Sequence, residues 1–307
     1  MNKQRKDEIR AAIEARMKIK RQSQNSLARE IGISAAQLIN IRDRKYEQVS
    51  DKMLNRIASH LGMDDWKIRR TRNLKIVTNL CADAQENHRF LAISAFTGAG
   101  KTTGLRHYAA KHPNAFYMHY NQLMSGRGNF FRQIQKAMGI DEGGSPNELG
   151  MAIYGRLNEL DHPLLIIDNA SLMNDGNLAL MQTIYDETEH HAGIVLAGTE
   201  FLKEYIDKGA RKNKRGFREL KRRIAYWQPL YRPTPEEITV ICADHGITDM
   251  HVINYIANAA PNYGSIRNLI TNAVRMSAEH SVAIDTEMLE QLALGDRAWY
   301  AQSVMSI

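Results

Sequence analysis

The stretch Phe90-Leu-Ala-Ile-Ser-Ala-Phe-Thr-Gly-Ala-Gly-Lys-Thr-Thr103 decides the fold of this 307-residue chain. Residues 90–94 are a short apolar run of the kind that forms a buried strand. The run passes directly into Ala95-x-x-x-x-Gly100-Lys101-Thr102, and then into helix-compatible sequence over 103–110. Strand, glycine loop and helix in that order suit a polyphosphate. Gly98 and Gly100 let the backbone fold tightly, so consecutive N–H groups and the next helix's N-terminus converge on one anion. Lys101 would reach the β- and γ-phosphates, and the Thr102 hydroxyl would hold Mg²⁺. The expected ATP cradle is therefore Thr97, Gly98, Ala99, Gly100, Lys101, Thr102 and Thr103. Ala95 stands where the usual pattern has Gly, so the turn there has to avoid positive φ.

The strands that should flank this one follow downstream. Residues 115–120 read as a second strand after Pro113-Asn114. Ser125-Gly-Arg-Gly-Asn129 reads as a flexible, positively charged turn opening a helix over 130–138, with a further helix over 147–160. Pro163-Leu-Leu-Ile-Ile-Asp168-Asn169 is an aliphatic strand ending in an acid, about 65 residues past the loop. At that distance Asp168 is the expected companion of Thr102, holding Mg²⁺ through water. Gly193-Ile-Val-Leu-Ala-Gly-Thr199-Glu200 is a fourth buried strand, whose polar end can sit beside a γ-phosphate. A fifth is expected around 224–230. Residues 235–294 show helical periodicity and no strand signal.

Upstream, Ser26-Leu-Ala-Arg-Glu-Ile-Gly32-Ile-Ser-Ala-Ala-Gln-Leu-Ile-Asn-Ile41 reads as two short helices joined at Gly32, with Ser34 capping the second. Leu27, Ile31, Ile33, Leu38 and Ile41 supply a shared core. Helices over 7–21 and 49–61 flank the pair, the latter ended by Gly62. This spacing resembles the helix-turn-helix of the phage repressor family. The resemblance turns Ala35, Ala36, Gln37 and Asn40 towards a major groove, with Arg42, Arg44 and Lys45 near phosphates. Arg- and Lys-rich residues 64–75 read as a connection, and 76–87 as a helix leading to the first strand.

Composition narrows the partners. Net charge is +7, yet residues 1–75 hold 19 Lys/Arg against 9 Asp/Glu, so the remainder is slightly acidic. A second basic run, Arg211-Lys-Asn-Lys-Arg215 continuing to Arg223, interrupts that background. Concentrated charge of this kind fits polyanion binding. Cys81 and Cys242 are too few for a disulfide framework and wrongly spaced for zinc. No apolar run approaches the roughly 18 residues of a membrane helix, and residues 1–10 lack the apolar block of a signal peptide. A reduced, cytoplasmic protein without membrane contact is expected. His190-His191 has no acid–base partner in the sequence and reads as exposed.

The assembled order resembles the AAA+ ATPases: phosphate loop, Asp-ended strand, polar strand end, Arg cluster, then Gly264-Ser-Ile-Arg267 opening a helix. With a helix-turn-helix in front, the chain is most similar to the transposition target-selection ATPases, the family of the bacteriophage Mu B protein. The resemblance implies a P-loop AAA+ parallel-sheet α/β sandwich at 76–232. It implies a helix-turn-helix DNA-binding domain at 1–63, a basic linker at 64–75, and an α-helical lid with C-terminal tail at 233–307. It assigns Thr199 to the first sensor, Arg223 to the arginine finger with Arg222 as substitute, and Arg267 to the second sensor. Arginine suits both latter tasks because its planar, permanently charged fork complements phosphate oxygens. It further implies a ring or helical filament of identical subunits that coats double-stranded DNA and delivers it to a transposase. Candidate DNA contacts are Arg127, Arg132, Lys212, Lys214 and Arg215. Relatives follow the magnesium Asp with Glu, whereas this chain has Asn169. An amide orients water but cannot accept its proton, so slow ATP hydrolysis is expected unless Glu200 substitutes. A replication helicase loader or initiator, and a nucleotide-gated transcription regulator, are the alternative readings.

Overall fold

A computed structural model describes residues 3–61, 66, 68–188, 191–280 and 282–293. Gly62, most of 62–67, His190 and the tail beyond 293 lie outside the described residues. Four helices come first: α1 (Lys3–Ile19), α2 (Gln24–Ile31), α3 (Ala35–Arg42) and α4 (Asp51–His60). Then follow α5 (Arg72–Glu86), β1 (Phe90–Ser94), α6 (Lys101–Lys111), β2 (Ala115–His119), α7 (Arg127–Met138) and α8 (Pro146–Glu159). The order continues with β3 (Leu164–Asp168), α9 (Asp175–Glu187), β4 (Gly193–Gly198), α10 (Glu200–Arg211), α11 (Phe217–Arg223) and β5 (Tyr226–Gln228). Last come α12 (Pro235–Asp244), α13 (Met250–Ala259) and α14 (Tyr263–His280).

The strands form one parallel sheet in the order β2-β3-β4-β1-β5. Parallel strands covered on both faces read as continuous apolar runs, and β3 and β4 are buried along their whole length. Phe90, Ala92, Leu165, Ile167, Ile194 and Leu196 pack into one cluster with side chains of α7 to α11. Leu91, Ile93, Leu164, Ile166, Val195 and Ala197, which alternate with them, are equally buried on the opposite face. The sheet is the filling of an α/β sandwich. Because β4 lies between β1 and β3, the chain reverses its direction of sheet growth beside β1. Ligands of open α/β sheets bind outside the carboxyl ends of the strands at such a switch point.

The N-terminal helices share a core of Ile9, Ile13, Leu27, Ala28, Ile31, Leu38, Ile41, Leu54 and Ile57. Gly32 ends α2 at φ 76, a left-handed turn that favours glycine. Ser34 caps α3 by accepting from Gln37 N, while the Gln37 side chain accepts in return from Ser34 N. That reciprocal box fixes the angle between the two helices.

By contacts the described residues divide into two units. One takes residues up to 66, 76–95 and 101–229; the other takes 68–75, 96–100 and 230 onward. Three elements differ from the reading of the sequence. Residues 72–75, read as connection, are the first turn of α5. Arg127-Gly-Asn129, read as a flexible turn, is already helical, since Phe130 and Phe131 are buried and Phe130 N bonds Gly126 O at 2.9 Å. The fifth strand shortens to Tyr226–Gln228. In all three, tertiary packing outweighs local composition.

Candidate functional site

Lys101 and Thr102 are the first residues of α6, and Asp168 is the last of β3. Register brings them together: the Thr102 hydroxyl donates to Asp168 Oδ2 at 2.7 Å. Asp168 is 2% exposed. The same oxygen takes a hydrogen bond from the Tyr117 hydroxyl at 2.8 Å and lies 3.4 Å from His119 Nδ1. Its other oxygen accepts from Asn169 N at 2.8 Å. Burial pushes the carboxyl up, but the bonds from His119, Thr102 and Tyr117 outweigh it and hold Asp168 below the usual carboxylate range. The result is a buried, ionised carboxylate beside a hydroxyl, oxygen donors of the hard type that Mg²⁺ takes together with its own waters.

Lys101 donates to the Ala95 carbonyl at 2.6 Å. Burial lowers its pKa, opposed by the charges of Asp168 and Glu200. Glu200 therefore lies close enough to act electrostatically on the ammonium. Thr199 immediately precedes α10 without a capping bond from its side chain; its N–H donates to Ser171 Oγ at 2.7 Å, with the two hydroxyls 3.0 Å apart. Asn169 adopts φ 61, ψ 30, a left-handed conformation that Asn tolerates. Its side-chain amide donates to the Tyr120 carbonyl at 3.1 Å. That amide is engaged with backbone.

Residues 96–100 are held within the second unit. Gly98 and Gly100 have φ 80 and 89, and Gly264 N donates to Gly98 O at 3.2 Å. A Cβ at Gly98 would lie 2.1 Å from Asn262 Oδ1. Asn262 is bound to its place, because that oxygen accepts from Ser265 N at 2.8 Å in the first turn of α14. Asn73, 2% exposed, donates to Ala99 O at 3.0 Å and to Tyr231 O at 2.6 Å, and accepts from Tyr231 N. It braces the loop from α5. Arg267, three residues after Gly264, is exposed on α14. Sequence reading missed Asn73, Tyr117, His119 and Ser171; nothing in a single chain marks a lone polar residue inside a helix or strand as facing a distant loop.

The predicted basic contacts separate into bound and exposed groups. Arg223 Nε lies 2.7 Å from Asp186 Oδ1, an ion pair without hydrogen-bond alignment. Arg222 beside it is exposed. Lys214 pairs with Asp175, bonds Tyr205 OH at 3.2 Å and lies over the rings of Tyr205 and Phe217. It ties α10 to α9, whereas Lys212 and Arg215 are exposed. Arg127 bonds Asn147, Arg132 lies 3.4 Å from Asn129 Oδ1, and Arg42 bonds Gln24. Arg44, at φ 61, lies 3.9 Å from Asp7. Gln37 is engaged in the cap of α3, and Asn40 is partly exposed on the same helix with Ala36 and Ile39 outward. Lys45 is exposed. His191, expected at the surface, is half-buried with Nε2 2.7 Å from the Leu160 carbonyl, because it enters β4 beside the stacked rings of His88 and His162.

The helix-turn-helix is docked on the sheet domain. Arg16 pairs with Glu30 at 2.8 Å and donates to Ala109 O near the end of α6 at 3.3 Å. Lys20 donates to Ala115 O at the start of edge strand β2, and its ammonium lies 5.8 Å from the Phe116 ring centre. Arg29 pairs with Asp141 beyond α7. Cations covering the C-terminus of a helix and the free edge of a strand satisfy carbonyls that would otherwise need water.

The family model for the AAA domain matches residues 84–206, and that for the Cro/C1-type HTH DNA-binding domain matches residues 12–64. The fold is that of the AAA+ ATPases. No curated protein matches the chain in sequence. Among solved structures, this AAA+ fold is similar to Cdc6p from Pyrobaculum aerophilum, at 15% identity and TM-score 0.54 over 73% of this chain and 66% of that one. The chain thus spans slightly under two thirds of Cdc6p. It is similar to domain III of the Thermotoga maritima replication initiation protein DnaA, at 16% identity and TM-score 0.51 over 73% and 92% of the two chains. A Walker-type ATPase of Pyrococcus abyssi aligns at 14% identity and TM-score 0.56 over 79% and 78%. At these identities the likeness concerns the fold alone. Among the described residues no helix is long and apolar enough to cross a membrane.

Proposed function

We propose that this chain is an ATPase that binds ATP with Mg²⁺, assembles on double-stranded DNA in the cytoplasm, and delivers that DNA to a transposase as a target. The observation that carries the nucleotide part is the 2.7 Å contact between the Thr102 hydroxyl and the buried, ionised Asp168. In this reading Thr102 and Asp168 hold the metal, which neutralises charge on the phosphates when bound. Lys101 releases Ala95 O to reach the β- and γ-phosphates. Thr97 to Thr103 cradle them with backbone N–H groups, and Thr199, fixed by Ser171, senses the γ-phosphate. Arg267 of α14, in a lid at 233–307, is the second sensor. Arg223 supplies the neighbouring subunit's finger after leaving Asp186, and exposed Arg222 is placed to take over that task. Asn169, with its amide spent on Tyr120 O, gives no general base, so turnover is slow and the ATP-bound assembly long-lived.

The DNA part rests on the match of residues 12–64 to a Cro/C1-type DNA-binding domain and on the basic surplus of residues 1–75. Within segment 1–63 the outward residues of α3 face the groove and Lys45 the backbone. Gln37 serves the cap first and the base edges only if it lets go. Lys212, Arg215, Arg127 and Arg132 add phosphate contacts that are weak singly and sum along a polymer. A γ-phosphate shared between subunits exists only in the ATP state, so assembly and nucleotide state are linked. Transposase delivery rests on the family resemblance alone.

The second reading is a replication initiator or helicase loader, favoured by the fold likeness to domain III of the replication initiation protein DnaA. Electron microscopy and footprinting on random duplex with ATP, a nonhydrolysable analogue and ADP separate the cases. A coat whose length grows with the duplex and requires ATP supports target delivery. Helicase co-purification supports the loader, and a fixed operator footprint in every nucleotide state supports a regulator.

A further inference from the structure

Asp168 is held by more than its P-loop partner. Edge strand β2 places Tyr117 and His119 on one face, two residues apart, and β2 pairs with β3 so that His119 is opposite Asp168. The Tyr117 hydroxyl reaches Asp168 Oδ2 at 2.8 Å, the oxygen that the Thr102 hydroxyl also takes at 2.7 Å. Tyr117 is itself fixed: the Arg106 guanidinium lies over its ring, 5.2 Å from the centroid. Arg106 is four residues after Thr102 on α6, the same helical face one turn on. One face of α6 thus grips Asp168 twice, directly through Thr102 and indirectly through Arg106 and Tyr117.

We propose that Tyr117 is a positioning residue for the metal-holding carboxylate: by pinning Asp168 Oδ2 in the orientation Thr102 needs, it sets how strongly Mg²⁺ supports nucleotide binding. This rests on the reading of Lys101, Thr102 and Asp168 as a nucleotide site. Without the Tyr117 hydroxyl the buried Asp168 carboxylate loses one of the two hydroxyls bonded to its Oδ2, so it must be ordered when the metal arrives. A hydrogen bond to a charged group is worth roughly a tenfold change in an equilibrium constant.

The test compares Tyr117→Phe with the wild-type chain in binding a fluorescent ATP analogue, once with excess Mg²⁺ and once with EDTA. The expected result is a loss of about tenfold in affinity with Mg²⁺ and none with EDTA. Thr102→Ala, which removes the direct partner, is expected to lose the whole Mg²⁺ increment. An equal loss in both conditions would mark Tyr117 as a packing residue and overturn the proposal, as would an unchanged Mg²⁺ increment. A wild-type chain that binds no nucleotide would instead remove the site reading, and the positioning role with it. Electron spin resonance of Mn²⁺ with ATP and each variant reads the metal itself. Weaker Mn²⁺ retention in Tyr117→Phe is expected; equal retention would refute the role.

Discussion

Replacing Asn169 by Glu sets a chemical gain against a backbone cost, and both can be read from the structure. Asn169 sits at φ 61, ψ 30, where an ordinary L-residue costs roughly 1–2 kcal/mol and Asn less. Its amide also bonds the Tyr120 carbonyl at 3.1 Å, worth about 1 kcal/mol. Asn169→Glu is therefore expected to destabilise the chain by about 2–3 kcal/mol, a fall in Tm of roughly 4–12 °C. In return it places a carboxylate one residue after Asp168. General-base assistance contributes typically about 10²–10⁴-fold, and at least a tenfold rise in the single-turnover rate is expected even with imperfect aim. Asn169→Asp separates the two effects, because Asp tolerates the left-handed conformation. It should keep more of the stability and gain less rate. The assay is single-turnover hydrolysis at saturating Mg·ATP beside a thermal melt of each variant. If both variants melt and turn over as the wild type does, the account of Asn169 is refuted. Glu200, whose charge acts on Lys101, would then be the carboxylate to remove.

Gly98→Ala would put a methyl group at φ 80, 2.1 Å from Asn262 Oδ1. We expect at least about tenfold weaker nucleotide binding by calorimetry; an unchanged affinity would mean the loop does not need this turn. Burial, with the Arg16 charge, lowers Lys20 to about 7 from 10.5. Between those values the unfolded chain binds a proton that the folded chain lacks, so this group's penalty is complete below about pH 7 and fades as pH rises. Stability should climb from pH 7 to 9 by at most about 1.4 kcal/mol per unit from this source, and Lys20→Met should flatten the slope in urea melts. Burial raises Glu30, but His60, Arg16 and Gln22 hold it down at about 2, against 4.5. Its stabilisation is present above about pH 4.5 and is lost as pH falls towards 2, so Glu30→Gln should melt with less acid dependence. Arg222→Ala and Arg223→Ala should both leave ATP binding intact, and at least one should abolish ATP-dependent assembly in sedimentation. Normal assembly by both would exclude this segment as the finger.

The sequence alone determined what depends on neighbours along the chain. The glycines of the phosphate loop demand positive φ, and aliphatic runs without polar alternation demand strands buried on both faces. Gly32 with Ser34 encodes a turn and a cap within three residues. Those signals were enough for the strand–loop–helix, the Asp168 strand and the helix-turn-helix. Tertiary structure decided which distant groups meet. Tyr117 reaches Asp168 across a strand pairing 51 residues apart, and Asn73 reaches Ala99 from a segment that read as linker. Arg16 and Lys20, counted as part of a basic surplus, turned out to cover carbonyls of α6 and β2. Arg223 and Lys214, read as free for phosphate, are paired with Asp186 and Asp175. Periodicity states which face of an element is buried; only the packed chain states what that face, and each charge beside it, will touch.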